Sequence, residues 1–280
     1  MTTLDERSIL DERATDQEPA EHFGLEIELM AWWDRAWLAR ATVAGDTVFS
    51  CVVERPSPGL TVLHECLPQR VDLRSTEILM AVARRVRADS GPADLVAIHP
   101  ASWDEQLAAH GVKPLHRMAY LGLLLEEDQL RAHYRPLPDG YRMTALRAAS
   151  EVELAGLSRE PDRPKDLAVW RDVLSGSYGP IIDDASLVIS TNSGICAAIA
   201  VSQHRGHPLI GHCVTSDEQR GQGLGRTLLV HALRRLSAAG HAECRLHVVE
   251  DNWIAQRLYR SVGFTPLRPP LRVSLIPDGG

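Results

Sequence analysis

The residues best placed by type and spacing to do chemistry are Arg220-Gly221-Gln222-Gly223-Leu224-Gly225. Three glycines at alternate positions let a backbone turn tightly with its N–H groups turned inward and no Cβ in the way. The run from Arg226 to Leu236 continues with apolar residues at 228, 229, 232, 233 and 236, the spacing of one buried helical face, and Gly240 stands where that helix would stop. A glycine loop feeding a helix N-terminus aims unpaired amides and the positive end of the helix dipole at one point, which suits a diphosphate. The spacing is one residue shorter than the dinucleotide fingerprint, and no Gly-Lys-Ser/Thr ending makes it a Walker loop. Taken alone, the segment reads equally as an ordinary strand-to-helix turn.

The stretch beyond that helix decides more. Cys244 to Val249 reads as a strand. Asn252 is a helix cap by type, Ile254, Ala255, Leu258 and Val262 make an apolar stripe, Gly263 is a C-terminal stop and Phe264 begins another strand. These residues resemble the GNAT acyltransferase superfamily. Its acyl-CoA loop reads Arg/Gln-x-x-Gly-x-Gly/Ala, matched by Arg220, Gly223 and Gly225. Its second motif, Asn-x-x-Ala-x-x-Leu-Tyr-x-x-x-Gly-Phe, is matched without a gap by Asn252, Ala255, Leu258, Tyr259, Gly263 and Phe264.

The resemblance covers the second half of the chain, from about residue 140. It implies acetyl-CoA or another acyl-CoA as donor, bound by Arg220, Gly221, Gln222, Gly223, Leu224, Gly225, Arg226 and Asn252, with the loop amides on the CoA diphosphate. The strand before the loop, through Val214 and Thr215, would pair with the pantetheine arm, and Tyr259 would protonate the leaving thiolate. The acceptor expected is the amine of a small molecule, acylated by direct transfer. An acyl carrier protein presents the same pantetheine arm and is the alternative donor. A non-catalytic acyl-CoA sensor is the other alternative, and it would predict a damaged second motif.

Such a transfer asks for three things. The amine must shed a proton before it attacks a thioester, the tetrahedral oxyanion needs donors, and the departing thiolate needs a proton or a hydrogen bond. His212 lies on the strand before the loop and titrates in the range a base needs. A structural histidine there is the bland reading, and His207, His247 and Glu250 are further options. His204, His207 and His212 fit no metal-ligand spacing and lack acidic company, so no metal is expected. Tyr178, Asp183 and Asp184 fall where the family covers its acceptor, and each could equally belong to a solvated loop.

The elements that must position these residues are set by periodicity. Tyr141 to Leu146 opens the second half as a strand, with helices over 148–157 and 165–174. A hairpin joins Ser186–Ser190 to Ile195–Ser202 through Asn192-Ser193-Gly194, and Leu209 to Thr215 leads into the loop. The first half repeats that order: strands at 25–29, 37–43, 47–53 and 61–66, a helical stripe at 78–86, a strand at 95–98, and a capping box at Ser102–Glu105 opening a helix that Gly111 stops. Val112 to Leu124 supplies its last strands. Set against the second half, Leu107 takes the tyrosine's place, Pro100 the asparagine's, and Arg70-Val71-Asp72-Leu73-Arg74-Ser75 the glycine loop's. The first half therefore resembles a degenerate GNAT domain without the loop, and an unrelated α/β domain is the alternative.

The expected fold class is α/β (α+β): two such domains, each a mixed, mostly antiparallel sheet flanked by helices. The expected boundaries are a loose extension at 1–20, a degenerate domain at 21–135 and a catalytic domain at 136–280, with Gln129 to Gly140 as linker. The chain has 280 residues, five scattered cysteines without a Cys-x-x-Cys pair, and a net charge of −7. The cysteines point to buried free thiols and the charge to no nucleic-acid partner. The lack of a bilayer-length apolar run and of a charged-then-apolar leader leads to the expectation of a cytoplasmic location and no membrane partner. Tandem relatives modify or build antibiotics and related small molecules. The acyl group, the acceptor and the oligomeric state are not legible.

Overall fold

The computed structural model describes residues 25–33, 36–57, 60–68, 75–90, 93–157, 163–176 and 179–277. The extension expected at 1–20, the segment from Arg70 to Arg74, and Tyr178 lie outside them. The described residues form two compact units, one of those up to Arg117 together with those from Pro270 on, the other of those within Met118–Pro269.

In the first unit, β1 (Leu25–Trp33), β2 (Ala36–Val43), β3 (Asp46–Ser57) and β4 (Leu60–Pro68) form an antiparallel run. Helix α1 (Ser75–Ser90) then carries the chain to β5 (Asp94–Pro100), which pairs with β4 in parallel. The stripe expected on α1 is real: Leu79, Val82, Ala83 and Val86 are buried against Phe49, Leu63 and Leu95. The capping box at Ser102 does not form. Ala101–Trp103 wind a 3-10 turn instead, so α2 (Asp104–Ala109) starts from Trp103 without a side-chain cap, and the Asp104 carboxylate accepts from Arg272 at 3.0 and 2.7 Å. Gly111, at φ +73°, ends the turn after α2.

The second unit contains β6 (Lys113–Leu124) from Met118 onward, α3 (Glu127–His133), β7 (Arg142–Ala145), α4 (Glu151–Ala155) and α5 (Arg163–Leu174). It continues with β8 (Leu187–Thr191), β9 (Gly194–His204), β10 (His207–Thr215), α6 (Leu224–Ala238), β11 (Glu243–Val249), α7 (Trp253–Arg260) and β12 (Thr265–Pro266). The sheet runs β7-β8-β9-β10-β11-β6, with β12 on β6, and among the described residues of this unit only β10 and β11 are parallel neighbours. Leu228, Leu229, Ala232, Leu233 and Leu236 of α6 are fully buried on one face, among Leu121, Ile199, Val201 and Leu246. On the other face Leu154, Trp170 and Val173 of α4 and α5 pack on Val188, Ala198 and Ala200. A capping box not foreseen starts α4: the Glu153 N–H donates to Ser150 Oγ at 3.3 Å, and the Ser150 N–H to Glu153 Oε2 at 2.8 Å.

The expected linker is partly a helix. Residues 127–133 form α3, with Leu130 buried at 1% exposure and Tyr134 and Leu137 packed on the second unit's core. The Glu127–Arg131 pair at i,i+4 and the apolar anchor at 130 outweigh the polar composition that suggested a loose connection. The halves read from sequence and the units of the structure also differ. Strand β6, expected as the end of the first half, pairs with β11 and β12 of the second unit. The last strand, β13 (Leu271–Ile276), expected in the second half, pairs with β5 of the first unit from Leu271↔Pro100 to Ile276↔Leu95. Each unit thus receives a strand from the far side of the expected boundary. Among the described residues, no helix is long and apolar enough to cross a membrane.

Candidate active site

The second unit's parallel strands part early. β10 and β11 pair at Leu209↔Arg245 and Ile210↔Leu246, yet β10 runs on to Thr215 and β11 to Val249. The register of β10 on β9 slips between Ile210 and His212, a bulge at Gly211 that turns the rest of β10 away. Beyond residue 210, among the described residues, the edge of β10 facing β11 carries backbone groups without a strand partner. An extended ligand chain can add there by main-chain hydrogen bonds.

Where β10 ends, Asp217–Gln219 make a 3-10 turn, and the glycine loop leads straight into α6. Gly221 and Gly223 both sit at φ +79°, the left-handed region glycine occupies without strain, and a Cβ on either would meet open space. The first turn of α6 has no side-chain cap, and its first backbone bond runs from the Thr227 N–H to the Gly223 carbonyl at 2.9 Å. The amides ahead of Thr227 are left for a ligand, at the positive end of the helix. Gly225 serves packing: a Cβ there would lie 3.2 Å from Thr215 Oγ1 at the end of β10. Leu224 is buried under the loop at 1% exposure. Tyr141 braces the turn, its Oη 2.7 Å from Oε1 of both Gln219 and Gln222. No motif marks Tyr141, and its role was not foreseen.

The expected cofactor residues divide. Val214 and Thr215 are on the parted stretch of β10, and Gly221, Gln222 and Gly223 are in the loop. Arg220 pairs with Asp217 at 2.6 Å from a half-exposed position. Arg226 is engaged elsewhere, donating to Ser261 Oγ at 2.7 Å and lying 2.9 Å from His133 Nδ1, which ties α6 to α3 and to the end of α7. Asn252 caps α7, its Oδ1 accepting from the Ala255 N–H at 3.1 Å.

Tyr259, one of the apolar face of α7, is buried in the α6 side of the core with Phe264 edge-on at 5.8 Å. Among the described residues nothing hydrogen-bonds its hydroxyl. Burial, with the Cys213 and Cys244 thiols beside it, pushes its pKa well above the ordinary 10. Both thiols are themselves pushed up to about 12 by burial. The Tyr259 hydroxyl therefore keeps its proton at any working pH and can only offer it. Cys213 belongs to the parted stretch of β10, so the hydroxyl lies beside that stretch.

His212 is on the opposite face of the sheet. Its register partner Ala200 faces α4 and α5, and its ring tilts against Trp170 at 5.3 Å. It lines a small pocket with Val173, Ile181, Ser202 and Gly211. Burial lowers its pKa from 6.5, so the imidazole is neutral near pH 7 and able to accept a proton. The other bases considered stand apart. His207 Nδ1 lies 2.6 Å from Glu243 at the start of β10, and His247 stacks on Tyr120 at 4.6 Å. Of Glu250, the backbone oxygen accepts from Gln256. Asp183 is ion-paired with Arg147, the carbonyl of Asp184 accepts from Arg235 at 2.9 Å, and neither lines the His212 pocket, although Ile181 does. Among the described residues no group of three or more His, Cys, Asp or Glu could hold a metal ion.

A helix start with free amides, a neighbouring strand edge left open and a protonated hydroxyl beside that strand together suit acyl transfer. Comparison with known proteins agrees. Residues 183–266 match the model of the acetyltransferase (GNAT) domain. A mycothiol acetyltransferase of Thermobispora bispora is 48% identical over 48 residues, a match that spans 17% of this chain and 16% of that protein. Among solved structures, a tandem GNAT protein from the clavulanic acid biosynthesis pathway superposes with a TM-score of 0.61 at 16% identity, over 86% of this chain and 82% of that one. A GCN5-related N-acetyltransferase from Sphaerobacter thermophilus gives the same score and identity over 87% and 82%. Residues 183–266, within the second unit, thus match a GNAT acetyltransferase domain, and the α/β fold of the chain resembles that of a tandem GNAT protein.

Proposed function

We propose that the chain transfers an acetyl or other short acyl group from acyl-CoA to the amine of a small molecule, in the second unit alone. The observation that carries this reading is the early parting of β10 and β11 beside the open glycine loop. The pantetheine arm adds to the β10 edge through Val214 and Thr215, and the diphosphate sits on the amides of 221–226. The acceptor approaches from the His212 face, and His212 takes its proton, directly or through water. Backbone amides of the parted β10 stabilise the oxyanion. Tyr259 gives its proton to the departing thiolate, and the loss of this donor is the step most open to measurement. The first unit is a degenerate partner that binds no donor.

Calorimetry tests the donor site. One acetyl-CoA per chain is expected, and Gly223→Val should remove binding, because a branched side chain fills the open space over the loop while costing only about 1–2 kcal/mol of backbone strain. Two equivalent sites, or binding that survives this change in a folded variant, would reject the reading. Thiol release from acetyl-CoA and from an acetylated carrier protein, with the same amine panel, identifies the donor: turnover with the loaded carrier alone would replace CoA in the proposal.

A further inference from the structure

The sheet face that carries His212 continues across β11 and β6. Paired residues share a face, so Leu209 and Arg245 lie on it, His247 is on it by alternation, and Tyr120 is the register partner of His247. His247 is the first residue of β11 on this face beyond the point where the strands part. Its ring stacks on Tyr120 at 4.6 Å, and the Arg268 guanidinium lies 4.8 Å from the centre of the same tyrosine ring. Arg245, 3.3 Å from Tyr120 Oη, has its charge met by Glu243 at 2.6 Å. Arg268 differs in its charge: among the described residues no carboxylate pairs with it, while its Nε, like that of Arg245, is buried without a hydrogen-bond partner.

A guanidinium held over an aromatic ring has fewer positions open to it, and its planar fork matches a carboxylate with two parallel hydrogen bonds. A guanidinium with no carboxylate partner and one donor already shielded from water gains from a carboxylate that binds there. We propose that Arg268, on its Tyr120–His247 platform, holds the carboxylate of the acceptor, so that the enzyme selects amines that also carry a carboxylate. This rests on the acyltransferase reading of the same site and adds the acceptor's chemical class to it.

The test titrates the full chain, with and without CoA, with lysine, leucine and phenylalanine, each against its carboxamide at the α-carboxyl. Each acid should bind at least about tenfold tighter than its amide, the scale of a charge-assisted pair. Arg268→Gln should level acid and amide while leaving CoA affinity unchanged. Arg268→Lys, a charge without the fork, should keep only part of the preference. Acids that bind no tighter than their amides, or a preference that survives Arg268→Gln, would overturn the proposal. A chain that ignores CoA but shows the Arg268-dependent preference would overturn the acyl-CoA reading and leave only a carboxylate-binding site at Arg268.

Discussion

Tyr259 and His212 flank the parted strands from opposite faces, and burial moves each toward its role. Burial disfavours a charged form, which raises the phenol and lowers the imidazole. Tyr259→Phe keeps the ring that packs on Phe264 and removes only the hydroxyl. Donor affinity and melting temperature should be unchanged, and kcat should fall by roughly 10²–10⁴-fold, the scale of a lost general acid. Wild-type turnover in that variant, with the physiological donor, would leave Tyr259 as a packing residue. For His212 the sign is fixed by the lowered pKa: the base is active when neutral, so the acidic limb of the kcat/KM profile should fall below pH 6.5. His212→Gln should flatten that limb. An unchanged limb would pass the proton to another group or to water.

The elements show why some of this was legible and some was not. Both second-half motifs are local: glycines two apart at a helix start, and a helix whose cap, stripe and stop lie within thirteen residues, Asn252 to Phe264. Local spacing of that kind translates directly into backbone conformation, and the structure has Gly223 left-handed, Asn252 as cap and Gly263 at φ +108°. What side chains do across elements carries no such signal. Arg226 belongs to the loop by position but to Ser261 and His133 by contact, and Arg268 on Tyr120 unites positions 148 apart.

His99 is another cross-element case. It is buried at 1% exposure, its Nδ1–H donates to the Pro100 carbonyl and its Nε2 accepts from Ser274 Oγ, both at 2.9 Å, so it joins β5 to β13. Burial lowers its pKa below 6.5, opposed by the Pro100 bond and Asp104 and aided by Arg272. The folded state resists a proton that the unfolded chain accepts, so stability falls as pH drops below about 6.5 toward the lowered value. Burial lowers His212 and His231 as well, and they act in the same direction. Denaturant midpoints at pH 7.5 and 5.5 should show that loss, and His99→Gln should reduce it. An equal loss in the variant would remove His99 as its source.

At the scale of the molecule, the exchange of β6 and β13 could not be read from the chain. Each strand has the length and alternation to complete either sheet, and which one it joins depends on pairings such as Leu271↔Pro100 that leave no trace in local sequence. The exchange changes what a deletion should do. Residues 136–280, the catalytic half as sequence alone draws it, lack β6 and α3, and with them Leu121, Leu123, Leu125 and Leu130 of the second unit's core. Burying each of these is worth roughly 1.5–3 kcal/mol, and their sum rivals the whole stability of a domain, about 5–15 kcal/mol. That fragment would also expose the edge of β11 that pairs with β6 over seven positions, from Glu243↔Leu124 to Val249↔Met118, an invitation to aggregate. Residues 113–269 keep both elements and leave out β13, which pairs with β5 and is also next to β6 in the strand order. The 113–269 fragment should therefore stay soluble with a cooperative unfolding transition and bind acetyl-CoA, whereas 136–280 should aggregate. A soluble 136–280 fragment that binds acetyl-CoA as the full chain does would mean that β6 is dispensable to the second unit's core.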